Sequence, residues 1–127
     1  MYKKISFALL VFGLMTAVLT ACSIEEEAGP GGPQAHMAGY NFIQDSITIN
    51  KGDILTLVND VAAAPHRIRN GSWIGITPEL KTEHGAPSVD LTFNRNDSAP
   101  IGPFTMTGTF HYYCTIHEGM NLSVIVH

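Results

Sequence analysis

The chain has 127 residues and a formal net charge of −4, with 45% of its residues hydrophobic and 14% charged. That length holds one domain, and so apolar a composition with no fixed-period repeat excludes a disordered chain, a collagen-like fibre, a coiled coil and a solenoid. Seven Lys and Arg against eleven Asp and Glu leave no electrostatic footprint for a phosphate backbone, which argues against nucleic acid as a partner.

Lys3 and Lys4 precede an apolar run from Ile5 to Leu19 that is broken by Ser6, Gly13 and Thr16. A basic start and an apolar core shorter than the roughly 20 residues of a bilayer-spanning helix predict an export signal over residues 1–21. Leu19-Thr20-Ala21-Cys22 resembles the lipobox of bacterial lipoproteins. The resemblance implies cleavage before Cys22, acylation of its sulfur, and a domain lipid-anchored to a bacterial membrane outside the cytoplasm. Cleavage removes two basic residues and no acidic one, so the mature chain carries −6. Residues 22–35, with Glu25, Glu26 and Glu27 followed by Gly and Pro, offer no apolar face and read as a tether. Residues 36–127 are left as the folded domain. With Cys22 acylated, Cys114 is the free thiol of an exported protein, and such a thiol needs a partner or a function.

The folded part reads as strands. Ile47 and Ile49 alternate with Ser46 and Thr48, and Asn50-Lys51-Gly52-Asp53 supplies turn chemistry. Ile54 to Val58 is rich in β-branched residues, with Leu55 and Leu57 on one face, and predicts a strand at a sheet centre. Val89, Leu91 and Phe93 alternate with Asp90 and Thr92, Gly108 opens a strand running to Cys114, and Leu122 to Val126 closes the chain. No segment beyond the signal holds an apolar period of 3.6, so an all-β sandwich or barrel is expected. Residues 71–86 fit a short helix or a long loop equally and stay unassigned. Residues 94–107 have no assigned role, and Trp73 reads as a core or loop anchor.

The chemistry lies between the last two strands, where Cys114, His117 and Met120 stand at steps of three. A tight turn can bring three such side chains to one point, whereas a strand would alternate them between faces. Thiolate, imidazole and thioether together favour copper over magnesium, calcium or manganese, and a thioether is a poor zinc ligand. A trigonal copper site needs a second imidazole. Strand parity turns His111 away from Cys114, His127 is terminal, and His36 adjoins the tether. His66 follows Ala62-Ala63-Ala64-Pro65 after a strand end, where small residues and a fixed φ can bring its ring beside the last loop. His84, in the unassigned stretch, is the reserve.

Lys51 to Asp60, the Pro65-His66 pair and Gly108 to Met120 resemble the cupredoxins, the small blue-copper family that includes plastocyanin and amicyanin, with the match running from about Tyr40 to Val126. The resemblance implies a Greek-key β-sandwich binding one type 1 copper ion, with His66, Cys114 and His117 as strong ligands and Met120 as a long axial one. Two departures stand out. Arg67 replaces an asparagine that often follows the first histidine, which removes a side-chain latch. Asn121-Leu122 stands where a glycine commonly follows the methionine, and an asparagine there can take a left-handed turn. By parity Phe110, Tyr112 and Cys114 face inward and Tyr113 outward. The plastocyanin likeness points to Tyr113 and the exposed edge of His117 as docking or electron-exit points.

The expected function is a monomeric one-electron carrier, not an enzyme, that exchanges electrons with redox partner proteins at the membrane. A copper-delivery lipoprotein is the alternative, and the intact thiolate set weighs against easy release of the metal. A dinuclear copper carrier would need a second cysteine in the loop, and a multicopper oxidoreductase a second domain.

Overall fold

A computed structural model describes residues 31–60 and 62–127. The signal segment, Cys22 and most of the tether lie outside the described residues. Eleven strands and no helix make up the described residues. One sheet contains β1 (Gln34–Ala38), β2 (Asn41–Phe42), β4 (Leu55–Asn59) and β9 (Ser98–Ile101), in the order β2-β1-β4-β9. The other contains β3 (Ser46–Ile49), β5 (His66–Asn70), β8 (Asp90–Phe93), β10 (Gly108–Cys114) and β11 (Asn121–Val126), in the order β3-β11-β10-β5-β8. A hairpin of β6 (Ser72–Ile74) and β7 (Thr77–Glu79) pairs with neither sheet and packs against the second through Trp73.

Period-two alternation builds the core. Leu55 and Leu57 of β4 have no exposed surface, and Phe110, Tyr112 and Cys114 of β10 meet Leu122, Val124 and Val126 of β11 in the same apolar cluster. Each fully buried Leu, Val or Phe contributes about 1.5–3 kcal/mol against exposure, so the pattern that predicts these strands also fixes their register. Ile54 is half-exposed and lies just outside β4, whereas Val89, placed in a strand by its alternation, packs in the core one residue ahead of β8.

Three stretches differ from the sequence reading. Gln34 and Ala35, assigned there to the tether, begin β1, which pairs in parallel with β4 and buries Ala35 and Met37 completely. His36 therefore lies in a strand, with Nδ1 2.9 Å from Asp60 Oδ1. Two small or unbranched apolar residues in five are too weak an alternation to announce a strand. Residues 71–86 contain the β6–β7 hairpin in place of a helix or an unstructured loop. Residues 94–107 carry β9, antiparallel to β4, and Phe104, which has no exposed surface and fills the core between the sheets. Pro100 is tolerated in β9 because that strand is an edge.

Candidate metal centre

The site forms at one end of the sandwich, where the first residue of β5, the last of β10 and the loop into β11 meet. Antiparallel pairing of β5 with β10 sets Cys114 opposite Ile68, which brings His66 beside the end of β10. The loop that delivers His66 is held by Asn59, a fully buried side chain whose Nδ2 donates to the Ala64 carbonyl at 3.0 Å and the Asn94 carbonyl at 2.8 Å. Past Cys114 the chain turns tightly. The Met120 amide donates to the His117 carbonyl at 3.3 Å, the Cys114 amide to the Met120 carbonyl at 3.0 Å, and Gly119 takes φ +76°, a left-handed conformation that favours glycine.

Three donor atoms converge there. Cys114 Sγ lies 3.6 Å from His66 Nδ1 and 3.5 Å from His117 Nδ1, and the two Nδ1 atoms are 3.0 Å apart. His66 and Cys114 are fully buried, Met120 is 1% exposed, and His117 is partly exposed. His66 Nε2 makes no hydrogen bond of full geometry, so the ring is committed through Nδ1. Burial, then the neighbouring His117, push the His66 pKa down to about 4, with the Gly39 backbone acting in the opposite direction. Burial also lowers that of His117. Both rings are therefore neutral at pH 7, the form that binds a metal.

The structure thus brings together His66, Cys114 and His117 as the sequence anticipates, with Met120 buried at the end of the same loop. His84 is exposed and stands outside the cluster. His111 faces the opposite side, its Nδ1 2.6 Å from Glu83 Oε1. Of the two departures, the lost latch is made good by backbone: the Thr115 amide donates to the Arg67 carbonyl at 2.8 Å, while the Arg67 side chain turns outward to a bidentate pair with Asp90 at 2.9 and 3.0 Å. Asn121 takes no left-handed turn. It opens β11, and the positive φ of the loop falls on Gly119.

Tyr113 is not the exposed aromatic that parity suggested. It faces away from the core yet is only 3% exposed, because Trp73 packs edge-on against it at 6.0 Å. Sequence reasoning also missed Tyr40. This 66% exposed residue in the β1–β2 turn sets its ring 5.0 Å from that of His117, and Ile116 beside the ligand is 57% exposed. A cleft of about 430 Å³ lined by Tyr40, Ala62, Ala63, Ala64, Pro65 and Arg95 adjoins this rim. Nothing in the period of the sequence marks Tyr40, since its contact with His117 arises only when β1 pairs with β4.

No protein-family model matches the chain, and no curated protein matches it. Solved structures do. A reduced Cu(I) form of an amicyanin variant matches with a TM-score of 0.58 at 21% identity, covering 80% of this chain and 88% of that one. Amicyanin from Paracoccus versutus matches with a TM-score of 0.58 at 21% identity, covering 80% and 87%. A purple cupredoxin from Nitrosopumilus maritimus matches with a TM-score of 0.58 at 18% identity, covering 75% and 99%. The fold is that of the cupredoxins. The donor chemistry fits the metal that the fold implies: two neutral imidazoles and a sulfur aimed at one point, with a buried thioether on the same loop, are soft and borderline donors that select copper over the hard cations. His66, Cys114, His117 and Met120 form a type 1 copper site.

Proposed function

We propose that the protein is a blue copper one-electron carrier, lipid-anchored through Cys22 outside the cytoplasmic membrane of a bacterium and serving redox partner proteins. The observation that carries this reading is the convergence of His66, Cys114 and His117, whose donor atoms all lie within 4.8 Å of one another on a sheet framework. Bound there, copper supplies a one-electron couple between copper(II) and copper(I). The chain's part is to hold the donors in one arrangement. Cys114 is fixed by the β10 ladder, His66 by Asn59 and the β5 ladder, and the loop by the Thr115–Arg67 bond, so little of the protein has to move. Amicyanins of the same fold are known in reduced Cu(I) and oxidised forms, and a reversible couple is the use to which a site this enclosed lends itself. The protein catalyses no reaction of its own.

Electrons enter and leave at the His117 edge, where Tyr40 and Ile116 give a partner an apolar landing beside the ligand. Tyr113, covered by Trp73, offers no such surface. A small apolar rim suits brief contacts with successive partners.

Adding copper(II) to the purified domain tests the reading. An intense blue absorption with narrow copper hyperfine splitting in the EPR spectrum is expected, and a pale, tetragonal spectrum would turn the assignment to copper delivery. The anchor is tested separately. Cells expressing the full chain incorporate labelled palmitate into it and retain it in the membrane fraction, whereas Cys22→Ser gives an unlabelled chain; equal labelling of the two would sink the anchor.

A further inference from the structure

Trp73 reaches the metal centre from outside the sandwich. The β10–β11 register ends at the Tyr113–Asn121 pair, and beyond it the Met120 amide turns to the His117 carbonyl. The Cys114 carbonyl, on a residue with no exposed surface, receives a hydrogen bond from the Trp73 indole, whose Nε1 donates at 2.8 Å. Two more bonds tie the same residue to the other end of the loop. The Trp73 amide donates to Asn121 Oδ1 at 2.7 Å, and Asn121 Nδ2 donates to the Trp73 carbonyl at 3.1 Å. One residue therefore grips the chain both at Cys114 and immediately after Met120.

The root of the hairpin is built for this position. The Gly71 amide donates to the His111 carbonyl at 3.0 Å, continuing the sheet before the chain leaves it. Gly71 has φ +126°, and a Cβ there would collide with the Glu79 carbonyl and crowd the Tyr113 ring. Closure of the hairpin over Tyr113 thus needs glycine at this point.

We propose that Trp73 is a positioning residue of the copper centre, holding the two ends of the ligand loop at a fixed separation and raising the site's reduction potential through its bond to the Cys114 peptide. This rests on the copper reading above. The positive end of the indole N–H dipole is directed at the peptide that carries the ligand sulfur, so it favours the state with one more electron. Without that bond the peptide carbonyl loses its donor in a buried setting, and the Cys114 peptide is freer to rotate.

Trp73→Phe keeps an aromatic ring over Tyr113 and loses the N–H. At a fixed ambient potential the copper-loaded variant is expected to hold an oxidised-to-reduced ratio about two- to tenfold above that of the unsubstituted protein, the range spanned by a single hydrogen bond, with its intense visible band displaced. An unchanged ratio overturns the proposal. Should the variant fail to fold, the unsubstituted chain supplies a second readout. In the metal-free protein the Trp73 indole proton exchanges with deuterium as slowly as the Tyr113 amide in the middle of its sheet, and exchange at the rate of an exposed indole overturns the proposal. Failure of the copper reading itself would show separately, as the lack of an intense band in the unsubstituted protein, while the exchange measurement still reads the hydrogen bond.

Discussion

Replacing His66 by Ala removes the intense visible band of the copper-loaded protein, whereas replacing His84 by Ala leaves it in place. His66 is buried with its Nδ1 3.6 Å from Cys114 Sγ and 3.0 Å from His117 Nδ1, and His84 is on the surface, outside the donor cluster. Outer partners of metal ligands are typically worth about 10–100-fold in affinity, so losing a ligand itself should weaken copper binding by more than ~100-fold. The metal-free protein should respond far less. The substitution leaves a cavity, but it also removes a buried ring nitrogen that makes no hydrogen bond of full geometry, and the two effects offset each other to within about 2 kcal/mol. Copper titration followed by absorption, with denaturant melts of the metal-free forms, checks both halves. A band that survives His66→Ala and disappears with His84→Ala would reverse the ligand assignment.

That choice between two histidines shows how far the sequence reaches. The loop ligands were legible because Cys114, His117 and Met120 share one turn, where spacing alone limits geometry. His66 was legible only as a preference, since its place beside the loop depends on β5 pairing with β10 across more than forty residues of chain. The core strands announced themselves through alternation: Leu55 with Leu57, Phe110 with Tyr112 and Cys114, and Leu122 with Val124 and Val126 all point inward.

What stayed hidden has a common physical cause. Strand parity states which face a side chain leaves from, not what then covers that face. Tyr113 leaves the outer face as expected and is buried all the same, because a hairpin whose own strands are largely exposed lies over it through Trp73. A hairpin with so little buried surface has no apolar alternation to read, so residues 71–86 gave no signal. β1 is buried but gives a weak signal, because its two inward residues are the small Ala35 and the unbranched Met37, and Tyr40 gives none, because its contact with His117 belongs to the tertiary arrangement. The fold is therefore written in the inner faces of the strands, while the second layer around the metal centre is written in contacts among surface segments.

Acid should destabilise the metal-free protein well before its carboxylates titrate. In the folded chain the His66 pKa lies at about 4, held down first by burial and then by His117, against 6.5 for an exposed imidazole. Between these two values the unfolded chain binds a proton that the folded chain refuses, so stability rises with pH across that interval. The contribution is fully present above pH 6.5 and is lost as the pH falls through 6.5 towards about 4. The gap corresponds to about 3 kcal/mol at one proton. His117, also lowered by burial, adds to the loss with the same sign. Denaturant melts of the metal-free protein from neutrality down to about pH 4 should show this decline, and His66→Ala should flatten it by removing the larger part. Parallel curves for the two proteins would show that His66 is not held neutral by the fold. The same depression works in favour of the metal. A ring that refuses its proton until the solution is well acid remains available to copper at pH values where an exposed histidine would already be cationic, so protonation of His66 should compete with copper only below the ordinary imidazole range. The partly exposed His117 should be the first ring to yield.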